Sequence, residues 1–194
     1  MKLVVFDTET TDLRPGHICQ LSYLIAADGV VAGKNLFFSV DEMNESSEAV
    51  HGMSMEMLEE LSGGERFEDR AQEIFDDFSA CELLVGHNVA FDDRFLRTEL
   101  TRAGYELPRI RTFCTMNYFT GDMQLRRKFR TGRPKPPKLI ELAEYMELTT
   151  EAIEKNSEAW FGGGAAAHDA RFDAAMTYMC LAEGARRGMI RGIL

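Results

Sequence analysis

Short apolar runs dominate the beginning of the chain, and amphipathic stretches follow them. Three runs have the length and the β-branched and aromatic character of strands, at residues 3–6, 19–26 and 33–40. Asp28-Gly29 lies between the second and third runs, and it is a strong hairpin signal because both turn residues need positive φ. The first forty residues are therefore predicted to form an antiparallel meander.

The apolar spacing becomes helical after residue 66. Phe67, Ala71, Ile74, Phe75 and Phe78 form one apolar stripe of a helix. Further strands are predicted at 82–86 and 109–114, and further helices at 90–103, 139–146 and 172–180. Because strands come first and then alternate with helices, the pattern indicates a layered α/β fold.

Length and composition indicate one domain over residues 1–194. The chain has 194 residues, 45% of them hydrophobic, which is enough for one buried core. Its four cysteines are far apart and form no CxxC pair, so we expect reduced core cysteines rather than zinc ligands or disulfides. The apolar start is too short for a signal peptide or a membrane span, so we expect a soluble, cytoplasmic protein without membrane contact.

The formal net charge of −10 argues against a protein that coats nucleic acid by bulk electrostatics. One basic segment departs from this balance, since residues 126–138 contain seven Lys or Arg and no acid. This segment could follow the phosphates of a substrate strand. Its glycine and three prolines fit a merely solvated, extended loop equally well.

Four carboxylates form the candidate chemistry. Asp7 and Glu9 are two residues apart, so in an extended strand both side chains point the same way. Each acid alone has an ordinary explanation: strand closure for this pair, a helix-dipole partner for Asp92 and a solvated helix face for Asp173. Together they suit two Mg²⁺ or Mn²⁺ ions, which take oxygen ligands and assist phosphodiester hydrolysis.

His168 is the candidate general base, because the pKa of imidazole lies near neutrality and the ring accepts a proton from water. It precedes Asp173 by five residues and follows a glycine-rich run. The ordinary alternative is an exposed histidine in a loop or at a helix start.

Three segments resemble the motifs of the DEDDh group of DnaQ-like exonucleases, the family that includes the proofreading subunit of bacterial replicative DNA polymerase. They are residues 6–11, 87–92 and 168–173, in the family's order over nearly the whole chain. The resemblance implies an RNase H-like fold, with an antiparallel meander and parallel strands in one mixed sheet flanked by helices. It also implies divalent-metal dependence, release of 5′-mononucleotides from a 3′ end, and Asp7 as the ligand that bridges the two ions.

Weaker matches extend the resemblance to the substrate side. Residues 51–53 resemble the family's His-Gly segment, and residues 138–143 resemble its Leu-rich helix before the third motif. By the same analogy, the terminal nucleotide binds in a pocket formed by Thr8, Thr10, His51, Met53, His87 and Phe91.

The chain departs from the family pattern in two places. Thr11 replaces the more usual glycine of the first motif, and the segment 149–167 is longer than a bare connector. That segment contains Trp160-Phe161, which could form a lid, a nucleotide contact or a partner surface, although packing against the domain is the commoner role of such a pair.

The leading hypothesis is a DEDDh exonuclease that acts on DNA 3′ ends, single-stranded DNA in particular. An exonuclease for RNA or short oligonucleotides shares the same chemistry. A catalytically idle module that binds nucleic acid or a polymerase would lack one or more ligands, whereas all five catalytic positions are present. A polymerase partner stays open, but the chain stops soon after the last predicted helix, which favours a stand-alone nuclease or an excised domain.

Overall fold

A computed structural model describes residues 1–13, 16–125, 132, 134–163 and 169–193. The described chain contains one five-stranded sheet formed by β1 (Leu3–Thr10), β2 (Ile18–Ala27), β3 (Val30–Phe37), β4 (Leu83–Gly86) and β5 (Arg111–Cys114). The strand order is β3-β2-β1-β4-β5. The first three strands pair antiparallel, while β1, β4 and β5 pair parallel. The predicted meander and mixed sheet are confirmed.

Eight helices connect and cover the strands in this part of the chain. They are α1 (Glu45–His51), α2 (Met55–Ser62), α3 (Phe67–Ser79), α4 (Val89–Arg102), α5 (Thr115–Met123), α6 (Leu139–Tyr145), α7 (Thr150–Phe161) and α8 (Ala170–Arg186). In a layered α/β fold, helices cover the faces of the sheet. Five helices do so here, namely α3, α4, α5, α6 and α8, and α7 packs beside α8.

The two faces of the sheet bury separate apolar clusters. Side chains alternate along β1, so Leu3 and Val5 join a cluster with residues of α5 to α8, whereas Val4 and Phe6 join a cluster with residues of α3 and α4. Because both faces are covered, the central strand is almost wholly apolar until its polar end. Functional side chains on β1 therefore lie at that end.

Several predicted boundaries were wrong by a few residues. The first strand does not end at Asp7 but continues to Thr10, because its pairing with β2 persists through Glu9. The third strand begins at Val30 and ends at Phe37, since it starts directly after the hairpin turn. The turn itself is as predicted, with φ of 53° at Asp28 and 79° at Gly29.

Four of the eight helices, α1, α2, α5 and α7, lack a sequence prediction. The long segment after residue 149 contains α7, which explains why it exceeds a connector. Trp160 and Phe161 pack against the cluster on the α8 face, and the Trp160 ring meets Tyr178 edge to face at 5.2 Å. The packing interpretation of this aromatic pair is confirmed.

Two predictions concern residues that lie wholly or partly outside the described chain. His168 lies outside the described residues, as does the basic segment 126–138 apart from residues 132 and 134–138.

All four cysteines are free, and Cys19, Cys81 and Cys180 are buried. In the described ranges, each helix is either too short or too polar to cross a bilayer.

Candidate active site

Asp7 and Glu9 lie on one face at the polar end of β1. Their partners across the antiparallel pair are Ser22 and Gln20 of β2. The register shifts between Glu9 and Thr10, which marks a bulge or irregularity directly after the acidic pair. Bulges commonly re-aim side chains beside active sites. The strand thus delivers both carboxylates to one place, as the spacing predicted.

Asp92 reaches the same strand end from α4, on the other side of the sheet. Its side chain is 4% exposed, and its Oδ1 accepts the Thr8 hydroxyl at 2.7 Å and the Thr8 backbone N–H at 3.2 Å. A sharp turn with φ of 77° at Asn88 joins β4 to the helix and places Asp92 in its first turn. Thr8 therefore orients a candidate ligand, a role different from the predicted substrate contact.

Asp173 arrives in the first turn of α8. Its backbone N–H donates to the Asp169 carbonyl at 3.2 Å, so the helix begins one turn before it. The Asp169 side chain caps this helix by accepting the Arg171 backbone N–H. Asp173 is partly buried, rather than on the solvated face that its ordinary explanation required.

Burial and the charges of neighbouring acids raise the pKa of three of these carboxyl groups, Asp7, Glu9 and Asp92. Burial, followed by the charge of Asp92 and then that of Asp173, raises the pKa of Asp7 well above its ordinary value. Burial, followed by the charges of Asp173 and Asp92, raises the pKa of Glu9 to about 8. Burial likewise raises the pKa of Asp92 to about 7, although the Thr8 hydrogen bonds oppose this rise. The carboxylates are therefore close enough to interact strongly.

The donor set fits hard divalent cations. Carboxylate oxygens are the ligands preferred by Mg²⁺ and Mn²⁺, and a cation would offset the repulsion that raises these pKa values. In the described ranges, however, no three His, Cys, Asp or Glu side chains are already arranged to hold an ion. The four acids form an electrostatic cluster, not a preformed cage.

Sequence reasoning missed three residues beside the acids. Gln20 is fully buried on β2, and its side-chain amide donates to Asp169, whose carboxylate also pairs with Arg171. The Asp169 charge contributes to the raised pKa of both Asp7 and Glu9. The signal available in the sequence was the pair of polar residues, Gln20 and Ser22, inside an apolar strand.

Part of the predicted nucleotide pocket is brought together on the β1–α1 side. The His51 ring lies beside the Thr10 backbone, its Nδ1 accepts the Met53 backbone N–H at 3.0 Å, and its Nε2 lies 4.0 Å from Cys19 Sγ. Met53 itself is 6% exposed and packs with Cys19 and Leu58, so little of its side chain is open to a ligand. The Thr10 hydroxyl is turned to the Asp12 carbonyl.

His87 and Phe91 lie at the start of α4, beside Asp92. The His87 Nε2 contacts the Pro137 carbonyl and Nδ1 contacts the Thr115 hydroxyl, both at 3.0 Å. A carbonyl only accepts, so the protein's own contacts assign the proton of the neutral ring to Nε2. Phe91 is partly buried against Phe95, with ring centroids 4.9 Å apart. Both ring nitrogens of His87 are therefore engaged, and the half-buried Phe91 ring also has the Arg94 guanidinium over it at 5.5 Å.

Thr11, the departure from the usual glycine, closes the loop after β1. Its hydroxyl accepts the His17 backbone N–H at 3.0 Å, and its own N–H donates to the His17 carbonyl at 2.9 Å. Its carbonyl also accepts the Asn44 N–H at 3.0 Å, which connects the loop to the start of α1. The threonine thus has a structural role away from the acids.

The fold and the acidic site together define the class of protein. The model of the RNase T family, described as exonuclease, matches residues 4–180, and the chain belongs to this exonuclease family. This places it among the DnaQ-like members of the RNase H-like superfamily. No curated protein matches the chain.

Solved exonuclease I structures share the fold. Escherichia coli exonuclease I with a 5cy-dA13 oligonucleotide matches with a TM-score of 0.72 at 15% identity, covering 95% of this chain and 40% of that one. The zinc-bound E. coli complex with single-stranded DNA gives 0.73 at 16%, covering 97% and 41%. The Methylocaldum szegediense enzyme gives 0.70 at 20%, covering 96% and 40%. This chain thus spans less than half the length of those proteins.

Proposed function

We propose that residues 1–194 form a single metal-dependent 3′–5′ exonuclease domain that removes 5′-mononucleotides from nucleic acid 3′ ends, with single-stranded DNA favoured. The observation that carries this proposal is the convergence of acids from three separate elements: Asp7 and Glu9 from β1, Asp92 from α4 and Asp173 from α8. The charges of neighbouring acids raise the pKa values of Asp7 and Glu9. Bound cations would offset this repulsion, as expected of a site that functions with metal.

The four acids, Asp7, Glu9, Asp92 and Asp173, would hold two Mg²⁺ or Mn²⁺ ions. Bound there, the ions would supply an activated water and stabilise the attacking and leaving oxygens of the phosphodiester. The chain's own contribution begins with position: β1 presents Asp7 and Glu9, and the Thr8 hydrogen bonds hold Asp92 in its first helical turn. His168 accepts the proton of the attacking water.

The terminal nucleotide would bind between the two sides of the site. His51, beside the Thr10 backbone, lies on one side, and the half-buried ring of Phe91 lies on the other. A base stacks on an aromatic or apolar wall without regard to its identity, which suits an enzyme that removes successive nucleotides. Met53 and His87 then shape the pocket from behind, since their exposure and hydrogen bonds leave little for direct recognition.

Direction and substrate rest on relatives. Exonuclease I structures of the same fold contain single-stranded DNA oligonucleotides, which supports single-stranded DNA as the substrate. The DEDDh motifs support release from the 3′ end.

The test is digestion of DNA and RNA oligonucleotides, each labelled at either the 5′ or the 3′ end, in Mg²⁺, in Mn²⁺ and in EDTA. We expect a ladder of shortened 5′-labelled DNA, immediate release of the 3′ label as a mononucleotide, and no reaction in EDTA. Asp7→Asn and His168→Ala should each lose at least about 100-fold in kcat. Failure to shorten any substrate with metal present would refute the proposal. Faster digestion of RNA than of DNA would show that RNA, rather than DNA, is the preferred substrate.

A further inference from the structure

The buried strand β2 contains a polar row directly opposite the acidic pair. Gln20 faces Glu9 and Ser22 faces Asp7, and both polar side chains are 0% exposed. Burying an unpaired amide costs free energy, so such groups are kept only with partners. Asn35 on β3 provides one: its Oδ1 accepts the Gln20 amide at 2.8 Å and the Ser22 hydroxyl at 2.6 Å. The row is thus a built hydrogen-bond network.

Gln20 extends this network to the beginning of α8. Its Nε2 donates to Asp169 Oδ1 at 2.9 Å, and its Oε1 accepts the Ala170 backbone N–H at 3.3 Å. One side chain therefore binds both the capping carboxylate and the first backbone N–H of the helix. These contacts fix the helix end in two directions relative to β2, because both ends of the planar amide are used.

Arg171 completes the arrangement and balances its charge. Its guanidinium is bidentate on Asp169, with Nε to Oδ1 at 2.9 Å, and lies 6.0 Å from the centre of the Phe37 ring. A bidentate pair adds geometric specificity as well as energy. Without this partner, Asp169 would add an uncompensated negative charge beside Asp7 and Glu9.

The position of Asp173 follows directly from this helix end. Asp173 is one turn after Asp169 and shares its helix face, and its N–H donates to the Asp169 carbonyl. A displacement of about 1 Å at a catalytic group reduces rates by about 100-fold.

We propose that Gln20, Asp169 and Arg171 act as positioning residues, the α8 anchor, that set Asp173 relative to the acids of β1. The inference rests on the proposed function. The anchor residues contact neither substrate nor metal in this proposal, and their effect passes through the placement of α8.

Gln20→Leu is the direct test, because it keeps the size of the side chain and removes both of its contacts with α8. Tyr23→Phe is the matched control: it removes a partly buried hydrogen bond to Asp77, 2.8 Å long, from the same strand but the opposite sheet face. For both variants we would measure kcat and KM on a single-stranded oligonucleotide, the Tm, and the rise in Tm on adding Mn²⁺ without substrate.

We expect Gln20→Leu to lower kcat by about 10- to 100-fold with KM within about threefold, and to reduce the Mn²⁺-induced rise in Tm. Tyr23→Phe should lower the Tm while keeping the kcat and the Mn²⁺ response of the parent. If Gln20→Leu matches Tyr23→Phe in both kcat and the Mn²⁺-induced rise in Tm, the anchor is refuted. If the parent digests nothing, the proposed function fails separately, and the Mn²⁺ comparison still tests the anchor.

A double-mutant cycle at the partly exposed pair covers the case in which Gln20→Leu fails to fold. Asp169→Asn, Arg171→Gln and their combination are compared by kcat, with Arg171→Lys as the conservative variant. When two residues act as one unit, substituting both lowers kcat little more than substituting either one alone. We expect the combination to resemble the worse single variant and Arg171→Lys to recover part of the loss. Fully additive losses without such recovery would overturn the proposal.

Discussion

Burial raises the pKa values of the acids at the site, and at Asp92 hydrogen bonds oppose that rise. Asp92 is buried, and burial raises its pKa to about 7 even though the Thr8 hydroxyl and backbone bonds lower it. Glu9 is raised to about 8, chiefly by burial. These pKa values lie close to neutral pH. Adding or removing one hydrogen bond therefore changes the fraction of the carboxyl group that is ionised and can bind a cation.

Thr8→Val tests this at Asp92. The change removes the 2.7 Å hydroxyl bond, so the pKa of Asp92 should rise further. A hydrogen bond to a charged group is worth about 1.5–3 kcal/mol, and each pKa unit corresponds to about 1.4 kcal/mol. We expect the acidic limb of the pH profile of kcat/KM to move upward by about one unit, with activity near the parent's at pH 9. Thr8→Ser, which keeps the hydroxyl, should leave the limb in place, and an unmoved limb in Thr8→Val would contradict this account.

At the scale of elements, α7 depends on a close approach to β3. A Cβ added at Gly33 would lie 2.6 Å from the Trp160 carbonyl oxygen and 2.8 Å from the Phe161 ring. One of these contacts is with backbone, so the helix itself must move. The glycine thus allows the aromatic end of α7 to cover the edge of the sheet.

Gly33→Ala is therefore expected to destabilise the fold by about 1–3 kcal/mol, measured by denaturant unfolding. Ala32→Val is the control, since residue 32 is the exposed neighbour on the same strand, and it should change stability by less than about 0.5 kcal/mol. Equal stability of Gly33→Ala and the parent would show that α7 does not pack against β3 as described.

The elements that could be predicted are those that bury an apolar pattern. The helix α3 buries Phe67, Ala71, Ile74 and Phe78, all of them in the predicted stripe. By contrast, α1 buries no residue, and its limits come from an Asn44 cap and an αL glycine at 52, so no periodicity reveals it. The acids at 7, 9, 92 and 173 followed from spacing and motifs. Gln20 could not be assigned a role, because its position opposite Glu9 depends on strand register.

At the scale of the whole molecule, the poorly solvated acids of the site make the stability of the fold depend on pH. A carboxyl group whose pKa rises on folding binds its proton more tightly in the folded state. Its stabilising contribution is complete below its unfolded pKa near 4 and is lost as pH rises through the folded pKa. For Glu9, at about 8, and Asp92, at about 7, the loss extends from about pH 4 to pH 8.

The metal-free protein should accordingly have a lower Tm at pH 8 than at pH 5.5. Asp7→Asn removes one of the repelling charges, so in EDTA at pH 8 it should melt above the parent; a gain of about 1 kcal/mol corresponds to about 2–4 °C at this size. Mg²⁺ at pH 8 should raise the Tm of the parent more than that of Asp7→Asn. Thermal unfolding followed by circular dichroism measures all three, and a less stable Asp7→Asn protein in EDTA would refute the electrostatic account.

The charge distribution of the whole chain also gives a prediction for substrate binding. The formal net charge of −10 disfavours nucleic-acid binding by the chain as a whole, so we predict that the basic segment 126–138 contributes to binding the substrate strand. Replacing Arg126, Arg127 and Lys128 by Glu should raise KM and flatten its dependence on salt. Lys155→Glu, an exposed change on α7, is the control. Variants of the basic segment that matched the control at every salt concentration would exclude its role.

The distribution of the acids along the chain affects when a newly made molecule becomes active. Asp7 and Glu9 are synthesised well before Asp173, which belongs to α8, a helix that packs against β1 and β2. A growing chain that has not yet released α8 lacks one ligand and the cover of one sheet face. On the proposed chemistry, a nascent or prematurely terminated chain therefore has no nuclease activity, which protects the messenger RNA and other nucleic acids around it during translation.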